Sequence, residues 1–444
     1  MFRTPVYIAT TIVTLGAVAV LLFGHAQSLT AFINLSILQA ILFVHLLLKV
    51  TAALAFRPHK IREGFDMASI AADVVIPIYN EDPPLLAAGL RALRAQTRLP
   101  RAVWLIDDGS QADGVPVDVL NDPIVYAAIA ELRSAGVIIE TRRQANRGKR
   151  WAQSVAFEAS DADVFITIDS DTCLDPRAVE KLLVPFSTPE VHSVAGFPMG
   201  QNYRKSLLTR AIDLGFTMSS IQGRMAEGFF GQVRVNCGII AAYRATTVKA
   251  NLDRYLNQRF LGAPVKAGDD RALTYFAKEQ GRAEFQPEAI AYSALPETLG
   301  HLARQRLRWA RSWCWGTLLL LRRPVTSPDF WFTMTQLLGI LGFGLVVFIA
   351  AFGVVTGAAP FTALVSTLAF ALAIGAVIHL RYIVVAHPGD PVFQRAVSWF
   401  VSPFGSLIYI GLLLPLYYVA ILRPRPKRGW GTRSKVEVGL HIQA

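Results

Sequence analysis

Five short polar clusters carry most of the chemistry this chain can offer. In order they are Asp107-Asp108-Gly109-Ser110, Asn146-Arg147-Gly148-Lys149-Arg150, Asp169-Ser170-Asp171, Gly268-Asp269-Asp270-Arg271 and Gln305-Arg306-Leu307-Arg308-Trp309. Asp169 and Asp171 put two carboxylates on one short turn. That donor pattern suits Mg2+ or Mn2+, which take oxygen ligands and commonly bridge one or two carboxylates to substrate phosphates. A metal there can neutralise a departing diphosphate. Asp107 and Asp108 open a Gly-Ser turn, where a carboxylate either accepts from the N–H of a base or holds the turn by side-chain hydrogen bonds. Asn146 to Arg150 joins a glycine turn to basic side chains, which suits phosphates. Asp269-Asp270 precedes a helical stretch, Arg271 to Lys278, where Asp is also a common cap. As chemistry, one carboxylate of this pair can take a proton from an attacking hydroxyl. Attack on an α-linked sugar donor then inverts the anomeric carbon to a β-linkage. Gln305, Arg308 and Trp309 form the most specific set: Arg grips phosphate oxygens in a planar fork, and a Trp face packs against a sugar ring.

These clusters need elements to hold them. From Ala72 to about Pro296, apolar runs alternate with helical patterns. Val74-Val75-Ile76, Val103 to Ile106, Val137-Ile138-Ile139 and Val164 to Ile168 read as buried parallel strands. Pro84 to Ala95, Lys149 to Ala159 and Pro176 to Leu183 read as helices between them, an α/β sheet of Rossmann type. The polar clusters begin where strands end, at Tyr79-Asn80-Glu81, Asp107-Asp108 and Asp169-Ser170-Asp171. Ligands of open α/β sheets bind beyond the carboxyl ends of the strands.

Membrane-length apolar segments flank this domain. Val6 to Phe23 and Ala31 to Phe56 predict an N-terminal transmembrane hairpin within residues 1–60, since a bilayer core takes about 20 apolar residues as helix. A basic group after Phe56, Arg57-Pro58-His59-Lys60, places the domain at 70–298 on the cytoplasmic side. Arg204 to Phe230 carries Leu208, Ile212, Phe216, Met225 and Phe229 near helical period, against Arg204, Lys205, Asp213, Arg224 and Glu227. It reads either as a helix in the headgroup plane or as one packed on the domain. Leu299 to Leu321, rich in Trp and Arg, reads as interfacial, with a linker to residue 329. Phe330 to Val355, Phe361 to about Val385, and Phe400 to Leu422 form a C-terminal transmembrane region. Three full spans there would put the basic tail, residues 423–444, outside, against the positive-inside rule. Pro403 and Pro415 imply a broken or re-entrant last segment, or the stretch from Phe361 hides a further pass.

Bulk properties agree. The chain has 444 residues, 53% hydrophobic and only 17% charged, too apolar for an ordinary soluble protein. The net charge of +12 gathers beside the apolar segments and forms no aromatic-interleaved stripe, which argues against nucleic acid as a partner. The three cysteines are far apart, without C-x-x-C, and the eight histidines are scattered. Neither a disulfide frame nor a zinc site is expected. His45 reads as a packing residue.

Taken together the clusters resemble those of the processive family-2 glycosyltransferases, the cellulose, chitin and hyaluronan synthases, over Val75 to Arg433. The likeness is strongest to hyaluronan synthases and their chitooligosaccharide-synthase relatives. It is carried by Gly268-Asp269-Asp270-Arg271-Ala272-Leu273-Thr274, Ser402-Pro403-Phe404 and Trp430-Gly431-Thr432-Arg433. The resemblance implies a cytosolic α/β domain of GT-A type, joined to an α-helical multi-pass membrane domain. It implies UDP-sugar donors, UDP-N-acetylglucosamine with UDP-glucuronate, a growing polysaccharide as acceptor, membrane lipid around the helices, and Mg2+ or Mn2+. By motif, Tyr79, Glu81, Asp107 and Lys149 would bind the UDP moiety, and Asp169 and Asp171 would engage donor and metal. Asp270 would be the base. Asp269, Arg271 and Trp430 would contact substrate, and Gln305, Arg308 and Trp309 would hold pyrophosphate and acceptor at a channel mouth. A chitooligosaccharide synthase, or a transferase adding one sugar to a lipid acceptor, is the alternative.

Overall fold

A computed structural model of the chain describes residues 5–6, 8–14, 16–17, 36–358 and 360–425. At its centre is an eight-stranded sheet. In chain order the strands are β1 (Ala72–Ile78), β2 (Ala102–Asp107), β3 (Ile138–Arg143), β4 (Val164–Ile168), β5 (Cys173–Leu174), β6 (Val191–Gly200), β7 (Ile240–Arg244) and β8 (Arg282–Ser293). In space they run β3-β2-β1-β4-β7-β6-β8-β5. The first four are mutually parallel, with Val74 opposite Val103 and Ile166. β1 is buried on both faces: Val74, Ile76 and Ile78 join one core, and Val75 joins the core on the other side with Phe157 and Phe165. Two-sided burial is why these strands read as unbroken apolar runs.

Two features differ from the sequence reading. β3 is an edge strand rather than a buried one: Ile138 is 54% exposed, and the strand ends in charged residues that only an open edge tolerates. The sheet is also mixed rather than parallel. β7 lies antiparallel between β4 and β6, and β6 and β8 pair in parallel. The chain order therefore reverses at β1, with β2 on one side and β4 on the other. That is the switch point where an α/β sheet opens a ligand crevice.

The helices that bear on the site are α1 (Ser36–Ala55), α2 (Pro83–Arg94), α3 (Lys149–Ala159), α4 (Leu207–Met218), α5 (Asp269–Gln280), α6 (Leu299–Leu320), α7 (Pro328–Val355), α8 (Phe361–Ile378) and α9 (Leu414–Leu422). Among the described residues, three helices are long and apolar enough to cross a membrane: Pro328–Val355, Leu364–Val385 and Val392–Leu422. The stretch after Phe361 forms one helix of that length. The last is broken, as its prolines require. Pro403 and Pro415 each sit in the first turn of a new helical piece, Ser402–Ile408 and Leu414–Leu422, with a π-turn at Tyr409–Leu413 between them. The turn of the expected N-terminal hairpin lies outside the described residues, as does most of the basic tail. The described part of the first segment meets α8, where Thr14 Oγ1 donates to the Val377 carbonyl at 3.3 Å.

The Arg204–Phe230 segment is three pieces: α4, a π-turn at Ser219–Arg224 and a short helix at Met225–Phe229. Its acids do not form a solvated face. Asp213 is fully buried, accepting from Gly200 N (2.6 Å), Tyr382 Oη (2.6 Å) and His387 Nε2 (2.9 Å). One apolar core holds Ala53 and Phe56 of the N-terminal part, Phe197 and Phe285 of the sheet, and Tyr382 and Val385 after α8. The apolar helices and the sheet are packed as one body through this segment.

Candidate active site

Local backbone geometry aims the polar clusters at one another. Asp108 organises the basic loop. Its carboxylate accepts from Gln144 Nε2 (2.6 Å), Arg147 N (3.0 Å) and Gly148 N (2.8 Å). Gly109, at φ +76, lies so close to this loop that a β-carbon would stand 2.9 Å from Asn146 N. Gly148 then turns the chain at φ +101, and Lys149 becomes the first residue of α3. Gly268, at φ +80, does the same before α5; a β-carbon there would come within 2.8 Å of Ser312 Cβ. That close approach sets Asp269 and Asp270, the first residues of α5, against α6. On α6, Gln305, Arg308 and Trp309 share a face by their three- and four-residue spacing.

Lys149 Nζ lies 2.8 Å from Asp169 Oδ1 and 2.9 Å from Asp269 Oδ2. Gly238 packs beside them: a β-carbon at that position would be 3.4 Å from Lys149 Nζ, 3.7 Å from Asp169 Oδ2 and 3.9 Å from Asp270 Oδ2, at ordinary contact. Lys149, Asp169, Asp171, Asp269, Asp270, Arg271, Gln305, Arg308 and Trp309 all line one cavity of about 580 Å³. Residues separated by up to 160 positions therefore meet in one place.

Electrostatics divide the acidic pair. Burial alone pushes Asp269 up, but the Lys149 ammonium outweighs it and holds Asp269 below the ordinary carboxylate value. Burial raises Asp270, and the charge of Asp269 raises it further. Burial opposes the charge of Lys149, yet Asp169 and Asp269 keep it protonated well past the usual range. Two neighbouring carboxylates whose environments drive them apart are the mark of divided roles, the raised one suited to taking a proton.

Asp171 is buried, with Oδ1 3.5 Å from Ser293 Oγ. No group of three or more His, Cys, Asp or Glu able to hold a metal occurs among the described residues. Two carboxylates fit a hard divalent cation that completes its shell with substrate phosphate and water.

Other expected residues are not in the lining of this cavity. Glu81 accepts a short hydrogen bond from Ser170 Oγ, which ties the end of β1 to the Asp169–Asp171 turn. Asp107 is fully buried; its Oδ1 accepts from Ser110 N (2.9 Å) and Oγ (2.6 Å), and Arg143 Nε is 3.3 Å from Oδ2. Tyr79 is half-buried at the end of β1. Trp430 lies outside the described residues. Several other lining residues had no expected role in the site: Gly238, Arg306, Tyr417 and the Glu227–Arg234 ion pair. None belongs to a recognisable spacing pattern, and Arg306 fills a position of its motif that no expected role singles out.

A second cavity, about 610 Å³ and largely apolar, lies among α1, α4, α6, α7, α8 and the broken last helix. Gly215, Arg306, Trp309 and Tyr417 line both cavities. The polar site thus adjoins a hollow surrounded by the membrane-length helices.

A parallel half-sheet with acids at its strand ends, a divided acidic pair at the start of α5 and an Arg/Trp helix define a glycosyltransferase with a GT-A-like fold. Residues 73–251 match the sequence profile of glycosyl transferase family 2. The chain is 30% identical to the hyaluronan synthase of Streptococcus pyogenes over 91% of its own length and 92% of that protein. It is 33% identical to an N-acetylglucosaminyltransferase of Sinorhizobium fredii over 79% of its length and 81% of that protein. A mannosyltransferase from Pyrobaculum calidifontis, solved in complex with GDP-Man and Mn2+, aligns with a TM-score of 0.55 at 17% identity, covering 90% of this chain and 99% of the other. That likeness concerns the fold. The chain belongs to glycosyl transferase family 2, among the relatives of hyaluronan synthase.

Proposed function

We propose that this protein is a membrane-integrated, processive, inverting β-glycosyltransferase. It uses UDP-N-acetylglucosamine with UDP-glucuronate, extends a polysaccharide and passes it across the cell membrane, with the catalytic domain on the cytoplasmic side. The observation that carries this reading is that Gly215, Arg306, Trp309 and Tyr417 line both cavities, so that a site of divided acids adjoins a hollow among membrane-length helices.

In the reaction, the acceptor hydroxyl gives its proton to the Asp270 carboxylate as its oxygen bonds to the anomeric carbon. The bond from that carbon to the UDP oxygen breaks on the opposite face, and its electron pair leaves with the diphosphate. Lys149, Arg308 and Gln305 hold the diphosphate, with Arg271 and Asp269 beside them. Tyr79, Glu81 and Asp107 border the nucleotide end. Asp169 and Asp171 would hold Mg2+ or Mn2+, which would neutralise the leaving diphosphate. Trp309 stacks the acceptor sugar at the neck.

Radiolabelled UDP-sugars supplied with Mg2+ or Mn2+ to the purified protein in lipid test this reading. It expects UDP release and a long polymer. No polymer and no UDP release across a donor panel would overturn it. The N-acetylglucosaminyltransferase relatives favour a second reading, a chitin-like product. Polymer from UDP-N-acetylglucosamine alone supports that one, and a strict need for both donors supports the first.

A further inference from the structure

Arg306 carries a charge that the transfer chemistry leaves unused. It lines both cavities, whereas Gln305 and Arg308 line only the polar one. Its guanidinium carbon lies 4.7 Å from the ring centre of Trp309 and 5.1 Å from that of Phe216. Its Nε is buried without a hydrogen-bond partner. The groups near enough to act on its charge are Tyr417 and Cys237, and neither is a carboxylate. Arg306 is half-buried; holding a guanidinium even partly out of water without an anionic partner is costly, and arginine does not shed its proton to escape that cost. Stacking on two rings offsets part of it. The rest is recovered when an anion arrives.

The apolar cavity says which side that anion comes from. Its described lining contains no Asp, Glu or Lys; apart from tyrosine, its ionisable groups are Arg306, His45 and His379. An anionic polymer leaving through it meets no like charge, and a neutral polymer needs no cation at its mouth. The donor diphosphate belongs to the other side, with Lys149, Arg308 and the Asp169–Asp171 turn.

We propose that Arg306 binds the carboxylate of a uronic-acid unit of the acceptor chain at the neck, and so makes the site prefer a carboxylate-bearing acceptor over a neutral one of equal length. This rests on the reading of the site as a polysaccharide synthase, and it names the acceptor that the site selects.

The test uses the purified full-length protein in lipid and two oligosaccharide probes of equal length. One alternates N-acetylglucosamine with glucuronate; the other is N-acetylglucosamine throughout. Each is measured for binding by competition with polymer synthesis. The wild type prefers the alternating probe by about tenfold or more, the size of a charge-assisted hydrogen bond. Arg306→Gln loses that preference, and Arg306→Lys, which keeps the charge and reports on folding, retains part of it. The proposal falls if a polymer-making wild type shows no preference, or if Arg306→Gln keeps it. It falls also if Arg306→Gln weakens UDP binding while the acceptor preference stays, because Arg306 then serves the donor diphosphate. A wild type that releases no UDP from any donor overturns the synthase reading itself, and this proposal with it.

Discussion

The Lys149 ammonium lies 2.9 Å from an Asp269 carboxylate oxygen. The same ammonium is 2.8 Å from Asp169, so one half-buried cation serves two acids. Asp270, the next residue, instead accepts a hydrogen bond from Arg271 N at 2.8 Å. The charge that quiets Asp269 therefore leaves Asp270 as the more basic member of the pair.

The two acids are expected to fail differently. Asp270→Asn lowers kcat by about 10²- to 10⁴-fold, the usual worth of a general base, while UDP binding stays near the wild-type value. Asp269→Asn releases Lys149 from its partner and appears chiefly as a changed donor KM. Initial rates of UDP release, with a UDP titration, separate them. Equal loss of binding in both variants contradicts the division of roles.

Asp270 must be deprotonated to act, and its pKa is raised by burial and by Asp269. Activity should therefore fall with decreasing pH earlier than an ordinary carboxylate would cause. Asp269→Asn removes the neighbouring charge, lowers the Asp270 pKa and moves the acid limb of the kcat profile to lower pH. A limb that stays in place or moves upward assigns it to another group.

Gly238→Ala tests the space between the acids. Its methyl meets Lys149, Asp169 and Asp270 at 3.4–3.9 Å, ordinary contact, so the fold accepts it. The methyl occupies volume the reactants need. We expect an unchanged thermal midpoint with a raised KM; a destabilised protein with normal KM would show the site lies elsewhere.

Chelation should abolish transfer, and Mg2+ or Mn2+ should restore it. Asp171→Asn should raise the metal concentration for half-maximal activity by at least about tenfold, because even an outer-shell partner is worth that much. Full activity in chelator contradicts the assignment of Asp169 and Asp171.

The Glu227–Arg234 pair, at 2.7 Å, braces the wall of the polar cavity. Burial pushes Glu227 up, but Arg234 outweighs it and holds it down at about 2. A depressed carboxylate contributes stability above its unfolded pKa, and that stability is lost as pH falls toward 2. Glu227→Gln leaves the half-buried Arg234 without its carboxylate but still bonded to Phe332 O and Gln336 Oε1, so the cost falls at or below the low end of about 3–5 kcal/mol. Thermal unfolding in lipid at neutral pH measures the loss.

The parallel half of the fold was legible because β1, β2 and β4 are buried on both faces and leave unbroken apolar runs. β3 was misread because its apolar start says nothing about its open edge. β7 and the mixed half left no comparable signal, since five residues such as Ile240–Arg244 do not separate from their surroundings. Asp169, Asp171 and Asp270 were readable from strand ends and turn chemistry. The role of Asp108 was not. Nothing local tells that it, rather than Asp107, holds the Asn146–Gly148 loop 40 residues away. Glu227–Arg234 and Arg306 depend on a π-turn and on helix contacts, which only the folded chain supplies.

On the proposed function, the polar site empties into the hollow among the membrane-length helices. The most direct measurement is synthesis in sealed vesicles with the catalytic domain outward, using labelled donors and then an added polysaccharide-degrading enzyme. Labelled polymer should resist digestion until detergent opens the vesicles. Polymer made in full yield yet wholly digestible before detergent would contradict that function.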